Sequence, residues 1–379
     1  MLSNLTAWND PVNVPPAMDP GAAGYVAAAV RTGSLKPPEL LSAIVGLGRP
    51  ERLWSAAPDQ LVELGIAPGS ANAFCRLRKR ADPECESREL ARHGVETIAF
   101  DEAAYPARLR QIFDPPAALF YRGRAAALAG PLLMAVVGNR AMTDYGSRAA
   151  RLFAGGLAAA GCTIVSGLAL GVDAAAHEAC LAARGTTVAV LASGTDRPSV
   201  GPWTNAGLAE RIVDAGGALV SEYPPGTISW KENFLKRNRI VAGLARGVVV
   251  VEAAERSGAL VTARLALEQG RDVFAVPGSI FSPRSAGCNR LIQTGASPLL
   301  AVEDVLQACG LAAKTAATSN NRLNDAAQKA VLAAANGEGL TPDELACRTG
   351  LTPHEILAAV STLELAGLVS THYNKVTRN

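Results

Sequence analysis

The chain has 379 residues, 49% hydrophobic and 18% charged, and its 36 Lys and Arg against 34 Asp and Glu leave a formal charge of +2. That is enough chain for two or three domains with a sizeable core, and the near balance of charge excludes a wholly basic face, so any polyanion site must be a local cluster. Seven scattered cysteines form no CxxC pair and four histidines show no HxxxH spacing, which argues for reduced thiols and against a structural zinc. The N-terminus has no basic region followed by an apolar one. The longest apolar run, Ala125 to Gly138, is too short to span a bilayer, so a cytoplasmic protein is expected.

Residues 1–20 are polar and Pro-rich and read as a poorly ordered tail. Residues 21–130 read as a small helical domain of the SAM or helix-hairpin-helix kind. Its turn Leu64–Ser70 (LGIAPGS) has the form of a hairpin that grips phosphate through backbone N–H groups, but it contains no Lys or Arg and also suits an ordinary Gly turn.

From 131 the texture changes. The runs LLMAVVG (132–138), CTIVSG (162–167), TTVAVLASG (186–194), GALVSEY (217–223), GVVVVEA (247–253) and DVFAVPG (272–278) lack polar alternation and are separated by helical stretches. Strands apolar on both faces, alternating with helices, predict an α/β domain: an open parallel sheet over 131–310 with helices on both faces. Residues 311–323 are rich in Ala, Thr, Ser and Asn and read as a linker. In 324–379, Thr341-Pro342-Asp343-Glu344 and Thr352-Pro353-His354-Glu355 are two capping boxes with Pro at the first helical position. With a Gly turn between them and the strand GLVSTHY (367–373) after them, they predict a winged helix whose wing is incomplete. Its recognition helix, about 353–366, has no Lys or Arg and carries Glu355 and Glu364, which argues against strong duplex binding and against a transcription regulator.

Ligands of open parallel sheets bind beyond the carboxyl ends of the strands. There the chain places Gly138-Asn139-Arg140, Ser166-Gly167, Gly171, Asp173, His177, Glu252 and Ser257-Gly258, a set whose glycines permit close backbone approach to an anion. No P-loop or dinucleotide GxGxxG occurs. Asp173 and His177 share a helix face and read either as a dyad or as a capping acid with a packed imidazole. Glu252 reads as a general base or as the ion-pair partner of Arg237 or Arg239. The row Lys236-Arg237-Asn238-Arg239 follows Phe234. As a helix, it turns Arg237 partly inward and projects Lys236 and Arg239 outward. Charges that hold phosphates beside a ring that stacks on a base suit a single strand, while a solvated basic turn is the plainer alternative.

The motifs AYPARLRQIFDPPAALFYRG, VVGNRAMTDYG, IVSGLALGVDAAAH, AVLASGTD, LVSEYPPG, NFLKRNRIVAGL, VVVEAAERSGALVTARLALEQGRDVFAVPG and AGCNRLIQTGA, in this order, resemble the DNA-processing protein A (DprA/Smf) family over about 104–300. The resemblance implies a Rossmann-like central domain that binds single-stranded DNA, takes part in natural transformation by protecting incoming strands and helping to load the RecA recombinase, forms a homodimer through that domain, and has no catalytic activity or cofactor. Carried over motif by motif, the DNA contacts are Gly138 and Arg140, Ser166 and Gly167, and Phe234, Lys236, Arg237, Asn238 and Arg239. Asn139 stands where the family commonly has Ser, and is expected still to donate to phosphate. A Tyr-Pro usual after the third strand is missing, with Trp203 nearby as the replacement aromatic. The competing reading is a nucleotide-processing hydrolase of similar fold, such as the phosphoribohydrolases. Their PGGxGTxxE signature has no counterpart in EAAERSGALVTA (252–263).

Overall fold

The computed structural model describes residues 19–130, 132–310, 325–335, 339–365, 368–372 and 375–378. The expected tail and linker thus lie almost wholly outside the described residues. The chain divides into two compact units after Gly310.

The first unit opens with five short helices, α1 (Pro20–Thr32), α2 (Pro37–Leu47), α3 (Pro58–Glu63), α4 (Pro68–Leu77) and α5 (Pro83–Arg92). Each begins with Pro at its first position, where the missing N–H costs nothing. Leu53, Leu61, Ile66 and Phe74 form their core. The α3–α4 turn is a hairpin, but the Ala67 amide there donates to Glu39 Oε1 at 3.2 Å, so that donor is already used within the protein.

Within the region expected to be mostly helical, residues 96–123 hold two strands. β1 (Glu96–Ala99) and, after the one-turn helix α6 (Ala107–Arg110), β2 (Ala118–Gly123) are strands that extend the sheet antiparallel. On β2 the side chains alternate: Phe120 packs into the helical core, while Leu119 and Tyr121 face the main sheet core. The helices and the sheet therefore share one strand.

The six expected parallel strands are all present: β3 (Leu133–Val137), β4 (Thr163–Ser166), β5 (Thr187–Val190), β6 (Ala218–Ser221), β7 (Gly247–Val250) and β8 (Asp272–Ala275), with a two-residue β9 (Ser297–Pro298) at the edge. The order is β1-β2-β6-β5-β4-β3-β7-β8-β9. The chain runs outward from β3 to β6, then returns to the other side of β3 with β7. The switch point lies between β3 and β7, where a ligand crevice is expected. One face is covered by α7 (Asp144–Ala159), α8 (Val172–Ala182), α9 (Ala206–Asp214) and α13 (Val302–Ala308), packed on Met134, Val136, Ala189 and Phe274. The other carries α6, α10 (Lys231–Leu244), α11 (Gly258–Glu268) and α12 (Ala286–Gln293), on Leu133, Ala135, Val137 and Val250. Burial on both faces is why these strands read as unbroken apolar runs.

The second unit holds α14 (Asp325–Ala334), α15 (Pro342–Thr349) and α16 (Pro353–Leu365) around Val331, Leu345, Ile356 and Val376. Both capping boxes form: Thr341 N and Thr352 N donate to Glu344 and Glu355, and the two Glu amides donate back to the Thr hydroxyls. The wing is not truncated. β10 (Val369–His372) pairs antiparallel with β11 (Lys375–Arg378), and Leu340 bridges to Val376 as a third edge. Among the described residues, no helix is long and apolar enough to cross a membrane.

Candidate nucleic-acid interface

The crevice at the switch point is a pocket of about 530 Å³. The loops after β3 and β4 supply Gly138, Arg140, Gly167 and Ala169. α10 supplies Lys231, Phe234, Leu235, Arg237 and Asn238, and the start of α11 supplies Ser257, Gly258 and Thr262. At its mouth the exposed Arg140 guanidinium lies over the Phe234 ring, 4.8 Å from the centroid. A guanidinium held over an aromatic face can still offer N–H groups to a phosphate.

Behind that pair is Arg237, buried at 4% exposure. Its Nη1 donates to the carbonyls of Gly167 (2.6 Å) and Val190, and its Nε to Asn238 Oδ1 at 3.3 Å. These partners are neutral; the nearest carboxylate, Asp173, also lines the pocket and offsets part of the Arg237 charge there. Burial pulls the Arg237 guanidinium down to about 10, opposed by the attraction of Asp173; burial likewise pushes the Asp173 carboxyl up, opposed by Arg237. Gly167 is required here: a Cβ would sit 2.4 Å from Arg237 Nη2. Gly138 is equally confined, 2.6 Å from Val172 Cγ2. Asn238 Nδ2 reaches the Gly258 carbonyl at 3.4 Å, tying α10 to the start of α11.

The expected cradle of loop amides is largely occupied by the protein itself. Gly167 N and Ala169 N donate to Asp173 Oδ2 at 3.1 and 3.4 Å. Asn139 N donates to the Glu252 carbonyl at 2.8 Å. The Asn139 side chain is also engaged, accepting from Ala254 N and donating to the Arg284 carbonyl, so it staples loops together rather than facing a ligand. Glu252 is neither a base in the pocket nor a partner of Arg237 or Arg239. It accepts from Thr143 N (3.0 Å) and Thr143 Oγ1 (2.8 Å), locking the start of α7, where its charge also suits the helix dipole. Asp173 and His177 are not a dyad. Asp173 caps its own loop, and His177 is a packed imidazole bonded through Nδ1 to Thr187 Oγ1 at 2.7 Å.

Residues 96–310 match the family model of DNA recombination-mediator protein A, and residues 312–374 match the DprA winged helix domain. The chain belongs to the DNA recombination-mediator protein A family. Protein Smf of Escherichia coli is 43% identical over 281 residues, covering 72% of this chain and 74% of that protein. DNA processing protein DprA of Streptococcus pneumoniae is 46% identical over 202 residues, 53% of this chain and 70% of the relative. The crystal structure of the pneumococcal protein superposes with a TM-score of 0.66 at 36% identity, covering 75% of this chain and 97% of that one. The solved structure of DNA processing protein A from Helicobacter pylori, described for its single-stranded DNA binding mode, gives 0.51 at 30% identity over 57% of this chain and 95% of that one.

Of the residues carried over from the family motifs, Gly138, Arg140, Gly167, Phe234, Arg237 and Asn238 line one pocket. Three do not. Ser166 is fully buried, its hydroxyl donating to the Val136 carbonyl at 2.6 Å. Lys236 is exposed and does not line the pocket. Arg239 does not project outward beside it. It is buried, with Nε 2.9 Å from Asp114 Oδ2 and Nη2 bonded to Glu222. α10 is packed on two sides, against the strand ends and against α6, so the arginines on opposite sides of this helix are both interior. The cation that sequence reasoning missed is Lys231, one turn before Phe234 on the pocket side. Helical spacing from Phe234 and Leu235 is the signal that finds it.

Proposed function

We propose that this DNA-processing protein binds single-stranded DNA, with little sequence preference, across the carboxyl ends of β3, β4 and β7. The observation that carries this reading is the Arg140–Phe234 pair at the mouth of a pocket that also holds Lys231 and the buried charge of Arg237. Cations beside a ring serve phosphates and one base face together, the combination that binds single strands regardless of sequence. The start of α11, with Gly258 open to space, adds a partial positive charge. Lys236 adds charge on the outer rim; Ser166 and Arg239 act by holding the scaffold. The one carboxylate lining the pocket, Asp173, is spent on two loop amides, which fits a binding role better than hydrolysis.

In this reading the protein protects incoming single strands during natural transformation and helps to load RecA. It acts as a homodimer through the sheet unit, whose β9 edge is short and exposed beside Leu300. Fluorescence anisotropy of labelled oligo-dT against a duplex of equal length tests the binding step, using wild type and an Arg140→Ala/Lys231→Ala variant. Preference for the single strand, lost in the variant, is expected. No preference, or an unaffected variant, would remove the proposal. An unchanged rate of RecA filament growth on single strands would remove the loading role, and a monomer in sedimentation at tens of micromolar (on the order of the upper range for weak association) would remove the dimer.

A further inference from the structure

Two tryptophans stand in solvent on the same rim as the pocket. Trp203 is 85% exposed, in the loop after β5; Trp230 is 66% exposed, at the end of the loop after β6, with Ile228 at 67% beside it in the chain. The two loops meet beside them, a Cβ on Gly201 lying 3.2 Å from Ser229 Oγ, and large apolar side chains in the open on adjoining ordered loops mark a binding surface. These loops are firmly held. Gly194 N donates to the Thr227 carbonyl (2.9 Å), Gly226 N to Asp196 Oδ1 (2.9 Å) and Asn233 Nδ2 to the Ala192 carbonyl (3.3 Å). Arg31 Nη2 holds the Pro225 carbonyl at 2.7 Å from the helical side.

Both loops lead directly into the pocket. Trp230 precedes Lys231, which lines it. Trp203 lies two residues before Asn205, whose Nδ2 donates to the carbonyls of Leu168 (2.9 Å) and Ala169 (3.3 Å), and Ala169 lines the pocket too. Neither indole is used in the fold: Trp230 opens α10 without a side-chain cap bond, and Trp203 begins a short 3₁₀ turn.

We infer that Trp203 and Trp230 form a stacking platform over the ends of β5 and β6, which takes the bases of a single strand as it leaves the pocket. Exposed Lys231, next to Trp230 in the chain, and exposed Arg197, in the same loop as Trp203, supply the phosphate contacts that such a path needs. This rests on the pocket reading and extends it: the pocket alone holds few nucleotides, and the platform makes affinity grow with strand length on the β5–β6 side.

The test uses the full chain and oligo-dT of about 4 and about 16 nucleotides, the span of site sizes known for single-strand binders. Tryptophan emission gives a second readout. With Trp8 replaced by Phe in every protein compared, Trp54, packed edge-on between Tyr25 and Phe74 in the helical core, supplies a constant background. The longer strand is expected to quench wild type. Trp203→Ala and Trp230→Ala should each weaken it about 5- to 150-fold, leave the shorter strand unchanged and reduce the quenching, and the double Ala variant should remove it. Trp→Phe variants should keep most of the affinity. Equal binding of the longer strand by wild type and the double Ala variant would overturn the platform, as would an equal loss at both lengths. In the same assay Arg140→Ala should weaken both lengths. If it weakens neither, the pocket reading fails, and with it the platform as a continuation of that path, whatever the tryptophan variants do.

Discussion

Arg140 owes its position to Phe234. A guanidinium on an exposed loop would otherwise sample many directions, and stacking at 4.8 Å limits them. Arg140→Ala should therefore cost about 1–3 kcal/mol of single-strand affinity with no change in melting temperature, measured by anisotropy and by calorimetry. Gly167→Ala should do the reverse in origin. Its Cβ would displace the Arg237 guanidinium from two carbonyls, and disrupting a buried charge of this kind costs about 3–5 kcal/mol of stability. A melting temperature equal to wild type would contradict that packing. His177 gives a pH-dependent case. Thr187 Oγ1 spends its proton on the Ile164 carbonyl, so His177 must donate from Nδ1, leaving a neutral ring with a buried, unpartnered Nε2. Burial holds this imidazole down at about 3. The unfolded chain takes up the proton near pH 6.5 and the folded one does not, so stability falls as pH drops from about 6.5 toward 3. Between pH 7.5 and 5.5 wild type should lose about 1.4 kcal/mol more than His177→Gln in urea unfolding; parallel pH profiles would exclude a neutral buried ring.

At the scale of elements, α10 explains why one basic row contains two kinds of arginine and lysine. Its sides meet the ends of β4 and β5, the segment containing Asp114, and solvent. Arg237 and Arg239 fall on the first two and Lys236 on the third. Arg239→Ala should lower stability by about 3–5 kcal/mol, because Glu222 and Asp114 would lose their shared partner. Lys236→Ala should leave the melting curve in place. Similar curves for both would mean that the row is uniformly solvated. The sequence shows the row and the aromatic before it, but a helical wheel cannot say how many of its sides are covered, and spacing alone therefore turns Arg239 outward. The six parallel strands were legible because burial on both faces leaves no polar alternation. β1 and β2 were not, since both take their place by antiparallel pairing, β1 on β2 and β2 on β6, partners that meet only in the folded sheet. The Gly loops were legible as strand ends. That Asp173, Glu252 and Asn139 would fill their hydrogen bonds was not, because those partners meet only across the folded sheet.

The whole molecule carries a net charge of only +2, so little long-range field draws a polyanion toward it and affinity must come from contacts. The two units differ in what they offer. The sheet unit presents Arg140, Lys231 and Lys236 as exposed cations around the pocket and its rim. In the second unit α16, the helix a winged helix would insert in a groove, has no Lys or Arg and exposes Glu364, leaving Lys375 on the wing as an exposed cation. Counterion release makes this division measurable. Three phosphate contacts on a single strand give a slope of log affinity against log salt of about −2. A chain ending at Gly310 should bind oligo-dT with the same affinity and the same slope as the full chain, since the removed residues carry six acidic side chains against six basic ones, none of the basic ones on the recognition helix. Arg140→Ala in either background should flatten the slope by about 0.7. A full chain with a slope steeper than that of the shortened one would mean that the wing adds phosphate contacts of its own, and the assignment of single-strand affinity to the sheet rim alone would then be wrong.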